Sequence, residues 1–309
     1  MRFELGVKSD PIEYRYSFDW LFALMREHDI HFLQLGSFFE LFSVDDVYLT
    51  DLRTLADSYG IRIKSVFTAH RELGGFFTGN LHLEKAARRN WERLIDVAAL
   101  VGADYVGSNP GSVYRNRLAD KERGLATYVR HIQELSKKAR SKGLKALTLE
   151  PMSCLAEPPS TPGEIRSLMT GLSAYHQANL GTTVPFYLCG DVSHGVADKD
   201  RNILHDNMEL FEIGLPWMCE FHFKNTDPIF NSTFGFGPEE RQRGIVDVAK
   251  VVSITHEHAA EWPEEEVVGY LEIGGPKHGR DYSDHLLGQQ LSESLEHIQT
   301  VMQKYLKAL

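Results

Sequence analysis

Short extended runs and amphipathic helical stretches alternate from one end of this chain to the other, and that alternation limits its folds more than any other feature. The extended candidates are Phe3–Val7, His31–Leu35, Arg62–Phe67, Tyr105–Ser108, Lys145–Glu150, Pro185–Asp191, Met218–Lys224 and Val267–Ile273. Several are rich in Val, Ile, Phe or Tyr, and most are too short to be helices. Between them lie helical runs such as Trp20–His28, Leu83–Leu100 and Gly124–Ala139, and a last one spans Leu286–Tyr305.

Local punctuation supports this division. Thr161-Pro162-Gly163-Glu164 sets a capping hydroxyl before a proline in the first helical turn, with a carboxylate close behind. Gly60, Gly102 and Gly143 stand where a helix should stop and the next strand begin. Strands that alternate with helices imply a parallel sheet. Eight such units in 309 residues predict the α/β class and a closed single (β/α)8 barrel, with residues 1–309 forming one domain. A doubly wound open sheet is the rival, but no G-x-G-x-x-G follows the first strand. In a barrel of this kind the active residues lie at the C-terminal ends of the strands.

Charge and cysteine content narrow the partners. Lys and Arg number 33 against 43 Asp and Glu, a formal charge of −10. That balance argues against nucleic acid as partner, because phosphate backbones are held by clustered Lys and Arg. The three cysteines, Cys154, Cys189 and Cys219, form no C-x-x-C pair, so a reducing compartment fits better than a disulfide framework. The opening MRFELGVKSDP lacks the layout of a signal peptide, and no apolar run nears the roughly 20 residues of a membrane span. The expectation is a soluble, cytoplasmic protein with no membrane partner.

The late strands carry the chemistry. The fifth, KALTLEPM, ends at Glu150; the sixth, PFYLCGDVSH, ends at Asp191 with His194 just beyond; the seventh, MCEFHFKN, carries His222; the eighth, VVGYLEIGG, carries Glu272. Each consecutive strand thus brings a carboxylate or imidazole to one mouth of the barrel. Two Glu, one Asp and one His form an oxygen-rich set that suits one divalent ion, Mn²⁺ first and Mg²⁺ or Co²⁺ next, better than structural zinc. Separate ion pairs or caps for all four are the lesser expectation, because acids are rarely buried unpaired.

These motifs resemble the xylose-isomerase-like TIM-barrel superfamily, especially the ketose 3-epimerases and related sugar isomerases. The resemblance implies that Glu150, Asp191, His222 and Glu272 ligate one divalent metal, and that Glu150 and Glu272 are also the proton-transfer groups. The D-x-x-H after the sixth strand is Asp191-Val192-Ser193-His194, whose His resembles a substrate contact; the H-x-K-D after the seventh is His222-Phe223-Lys224-Asn225. The loop GFGPEERQRGIVD resembles a Gly-rich stretch leading to an Asp, here Asp247. Asn225 stands for the usual Asp, and Pro228 for an Arg that holds substrate hydroxyls in several ketose 3-epimerases. These departures leave the sugar open. Homodimers or homotetramers are what the resemblance implies for assembly.

The chemistry expected is removal of a proton α to a carbonyl, with a cation stabilising the enediolate and a positioned carboxylate taking the proton. Return to the opposite face gives epimerisation; return to the neighbouring carbon gives aldose–ketose isomerisation. The substrate would be a small keto-sugar or sugar acid, free or phosphorylated. A dehydratase would begin with the same step; an endonuclease-like repair enzyme and a sugar-binding protein without turnover are remoter alternatives. Four further residues are candidates for substrate binding: His194, His70, Asn109 and Lys224, the last alternatively paired with a ligand carboxylate. Phe76 and Phe77, in the loop RELGGFFTGN, offer a cover for the apolar face of a sugar, and Lys277, His278 and Arg280 form a basic cluster past Glu272 that would suit an anionic group. Cys189 and Cys219 are expected in core packing.

Overall fold

The computed structural model describes residues 1–38, 40–277 and 279–308. Eight parallel strands close a barrel: β1 (Arg2–Lys8), β2 (Phe32–Leu35), β3 (Arg62–Thr68), β4 (Tyr105–Ser108), β5 (Ala146–Leu149), β6 (Phe186–Asp191), β7 (Met218–Phe223) and β8 (Glu266–Leu271). Each strand pairs with its neighbours in sequence, and β8 closes the ring on β1 from Arg2↔Glu266 to Val7↔Leu271. The fold is the single (β/α)8 barrel that the alternation predicts. Observed strands fall within two residues of the expected runs, with Glu150 and Glu272 one position beyond their strands.

Helices cover the outside: α1 (Phe18–Glu27), α2 (Asp46–Ser58), α3 (Leu81–Leu100), α4 (Lys121–Ser141), α5 (Pro162–Gln177), α6 (Asn207–Gly214), α7 (Pro238–Arg243), α8 (Val248–Glu257), α9 (Asp281–Asp284) and α10 (Leu287–Ala308). Their starts follow from short polar side chains that accept otherwise orphaned backbone N–H groups. The Ser17 hydroxyl accepts from Trp20, Asp45 from Tyr48, Asn80 from His82, Thr161 from Glu164 and Asp206 from Met208, each such cap contributing about 1 kcal/mol. Asp247 caps α8 in the same way, accepting from Ala249 at 2.8 Å, so the motif Asp is a helix cap here. Gly60, Gly102 and Gly143 end α2, α3 and α4 with φ of +70°, +76° and +82°, a conformation in which a β-carbon is strained. None of the helices is long and apolar enough to cross a membrane, among the described residues.

Outward-facing strand residues pack on the helices. Phe221 of β7 is fully buried, with ring centroids 5.6 Å from Phe3, 5.2 Å from Phe211 and 6.1 Å from Trp262. The inward face of the barrel is different. The Ser65 hydroxyl (β3) donates to Glu220 Oε1 (β7) at 2.9 Å, and Thr148 (β5) donates to the same oxygen at 3.2 Å. Because β3, β5 and β7 are not neighbours, these bonds cross the lumen. The barrel therefore has a buried polar layer beneath its C-terminal mouth.

Phe76 and Phe77 do not cover the site. Both are buried in the core, Phe76 stacked on His131 at 4.4 Å and Phe77 against Tyr128 at 6.1 Å, both partners on α4. The apolar rings gain more from leaving water than from standing over a polar mouth, so the loop folds them inward.

Candidate metal centre

The expected donors gather at the C-terminal mouth. Glu150, Asp191, His222 and Glu272 each place one ligand atom such that all four lie within 4.8 Å of one another. Backbone register explains the convergence. Past a register shift at Leu188/Cys189, Asp191 lies opposite His222. On the other side Tyr270 lies opposite His222, and Glu272 N–H donates to Phe223 O at 3.0 Å, so the ladder runs one residue beyond β8.

His222 Nδ1 stands 2.9 Å from Glu150 Oε1, 2.9 Å from Glu272 Oε2 and 3.9 Å from Asp191 Oδ2. Asp191 Oδ1 is held by the Ser193 N–H and hydroxyl, both at 2.7 Å. Asp191 Oδ2 and Glu272 Oε2 are buried without a well-aligned hydrogen bond. Lys224 Nζ balances their charge at 3.2 and 3.0 Å. Two orphaned carboxylate oxygens, a third carboxylate and an imidazole nitrogen turned toward one point fit a hard divalent cation.

The charges are strongly coupled. Burial pushes the Asp191 carboxyl up, but His194, Lys224 and His222 outweigh it and leave it below the ordinary carboxylate range. Burial acts in the same sense on Glu272, and Lys224, Lys8 and His222 overcome it, holding that carboxyl well below its usual value. For His222, burial works against the charged ring, yet Cys189, Glu272 and Glu150 raise it well above an ordinary histidine. Lys224 is likewise raised: burial disfavours the ammonium, and Asp191, Glu272 and Glu150 more than compensate.

The other expected residues divide. Lys224 is paired with the carboxylates, the alternative the sequence left open. His194 Nδ1–H donates to Pro151 O at 2.8 Å while its Nε2 lies 3.3 Å from Asp191 Oδ2, so it braces Asp191. The Asn109 amide donates to Glu150 Oε2, and its oxygen accepts from His70 N–H at 3.2 Å. Asn109 thus orients Glu150, and His70 is tied to the site through it. His70 Nδ1 is buried with no hydrogen-bond partner. Cys189 is buried as expected but also touches the site, its Sγ 3.4 Å from His222 Nε2; burial raises its thiol to about 12. Lys277 and Arg280 are exposed, and His278 lies outside the described residues.

Two residues were missed. Lys8, at the end of β1, sets its buried ammonium 3.2 Å from Glu272 Oε1 and 3.0 Å from Asp10 Oδ2. Gln34, in the apolar run HFLQL, accepts at 2.7 Å from His222 Nε2. The signal was faint: Gln34 is one polar residue in an otherwise apolar strand, and Lys8 ends a strand that already carries Arg2 and Glu4.

Similarity to known proteins agrees with this architecture. No curated protein matches the chain by sequence. Among solved structures, a Rhodospirillum rubrum protein provisionally labelled a xylose isomerase is 20% identical with a TM-score of 0.78, covering 96% of this chain and 99% of that one. D-psicose 3-epimerase from Clostridium cellulolyticum, solved with D-tagatose, is 14% identical with a TM-score of 0.69, covering 98% and 99%. A Bacillus anthracis protein assigned as a 3-DHS dehydratase of petrobactin synthesis is 12% identical with a TM-score of 0.63, covering 94% and 98%. At these identities the likeness is one of fold, which does not by itself carry a reaction. The family model for the xylose isomerase-like TIM barrel matches residues 22–266, and the chain belongs to that family.

Proposed function

We propose that this protein is a divalent-metal-dependent sugar isomerase or epimerase that moves a proton α to a carbonyl of a small keto-sugar or sugar acid. The observation that carries the reading is the convergence of Glu150, Asp191, His222 and Glu272 on one point at the barrel mouth. Those four residues would hold the ion, with Mn²⁺ the first candidate and Mg²⁺ or Co²⁺ next. When bound, such an ion supplies Lewis acidity that makes the α-proton of a carbonyl compound removable near neutral pH.

The chain's own residues supply the rest. Glu150 and Glu272 are the two proton carriers, each with a second oxygen free of the shared point. Asn109 aims Glu150, and Lys8 and Lys224 aim Glu272 and keep it ionised. His70, whose Nδ1 has no hydrogen-bond partner, is the substrate-contact candidate, and His194 serves by bracing Asp191. A dehydratase is the second reading, since one structural neighbour carries that assignment and the first proton removal is the same.

The test is incubation of metal-free and Mn²⁺-loaded protein with keto- and aldo-sugars and sugar acids in D₂O, followed by NMR and mass spectrometry. Solvent deuterium incorporated without loss of water marks isomerisation or epimerisation; loss of 18 mass units, on the order of one water, marks dehydration. Glu150→Gln should slow exchange by about 10²–10⁴-fold while leaving substrate binding. Exchange at the wild-type rate in that variant removes Glu150 from the mechanism.

A further inference from the structure

We infer that Gln34 is a positioning residue that fixes the tautomer of His222 and turns its Nδ1 lone pair toward Glu150, Asp191 and Glu272. The inference rests on the metal-centre reading and extends it to a residue outside the donor set.

Gln34 is fully buried on β2, across the lumen from β7. Its Oε1 lies 2.7 Å from His222 Nε2, while its Nε2 faces Ser65 Oγ at 3.5 Å and Cys189 Sγ at 3.7 Å. The direction of the amide follows from what stands behind it. The Ser65 hydroxyl spends its proton on Glu220 Oε1 at 2.9 Å, so it presents lone pairs to Gln34 and requires an N–H there. With the amide nitrogen on that side, the oxygen must face His222, and Nε2 must carry a proton to donate. Nδ1 is then the nitrogen left for a cation, which takes the place of any proton there.

The consequence lies on the other side of the imidazole. Nδ1 stands 2.9 Å from both Glu150 Oε1 and Glu272 Oε2. Either a proton or a cation must stand between that nitrogen and the carboxylate oxygens, and metal binding replaces the one with the other. The opposite tautomer would put a proton where the cation belongs. The chain Glu220–Ser65–Gln34–His222 therefore runs from the buried polar layer to the donor set and fixes which nitrogen is available. Phe67 holds the ring plane as well, edge-on at 5.4 Å.

The experiment compares Gln34→Met, which removes the acceptor at similar size, with Gln34→Glu, which keeps one. Calorimetric titration of metal-free protein with MnCl₂ should show binding weakened about 10–100-fold in Q34M and held within about threefold of wild type in Q34E, the range found for partners of metal-bound histidines. ¹⁵N-histidine NMR of the wild type with Mg²⁺ should show the His222 proton on Nε2, and this measurement stands whether or not either variant folds. Wild-type Mn²⁺ affinity in Q34M, equal weakening in both variants, or a wild-type ring protonated on Nδ1 overturns the role of Gln34. A wild-type protein that takes up no Mn²⁺ at all fails at an earlier point and overturns the metal centre itself.

Discussion

Replacing Lys224 with methionine tests the charge balance of the mouth without touching any of the four proposed donors. The Lys224 ammonium lies 3.2 Å from Asp191 Oδ2 and 3.0 Å from Glu272 Oε2, with both carboxylates largely buried. At an effective dielectric of about 20, each contact is worth about 5 kcal/mol in gross Coulomb energy. Much of that offsets desolvation, and removing one partner of a buried pair costs about 3–5 kcal/mol net because the other charge is left uncompensated. For a chain of 309 residues, unfolding entropy of about 2.1 cal/mol/K per residue converts that loss to a fall in Tm of about 5–8 °C. Mn²⁺ should reverse it. A cation supplies the positive charge that Lys224 supplied, so metal should stabilise Lys224→Met more than wild type. Differential scanning fluorimetry of EDTA-treated protein, with and without MnCl₂, reads both effects. Lys199→Met, an exposed control paired with Asp200, should stay within about 0.5 kcal/mol of wild type. A metal-free Tm equal to wild type, or a Mn²⁺ shift no larger than that of wild type, refutes the reasoning.

The remaining predictions concern pH and packing. Glu272 and Asp191, held below their ordinary values of 4.5 and 3.8, add stability that is complete above about pH 4.5 and is lost as pH falls through their depressed folded values. Glu220 has the opposite sign: burial raises its carboxyl above 4.5, so the native state loses stability as pH climbs from there toward the raised value. Urea midpoints of metal-free protein between about pH 5 and 8 should therefore fall less steeply in Glu220→Gln than in wild type, and identical slopes would contradict the assignment. Phe221→Ala, which empties the junction of Phe3, Phe211 and Trp262, should cost about 3–5 kcal/mol by urea denaturation; a cost below about 1 kcal/mol would show that the junction collapses to fill the space.

The sequence alone determined the barrel and picked out the four side chains that converge at its mouth. Strand–helix alternation is a local property, repeated eight times, and closure of a parallel sheet follows from it. Glu150, Asp191, His222 and Glu272 were legible because a barrel brings the C-terminal ends of its strands to one mouth whatever their separation in the chain. Tertiary structure decided which side chains brace those four. Gln34 meets His222 across 188 positions of sequence, and Lys8 meets Glu272 across 264. The first contact spans the lumen and the second joins the ends of the paired strands β1 and β8, so both depend on barrel closure and register, and neither leaves a periodic trace. The same holds for Asn109, which reads as a turn residue until the barrel sets its amide against Glu150. Phe76 and Phe77 show the limit from the other side: a loop's composition gives its apolar content, but only the packed helices decide whether those rings face the site or the core.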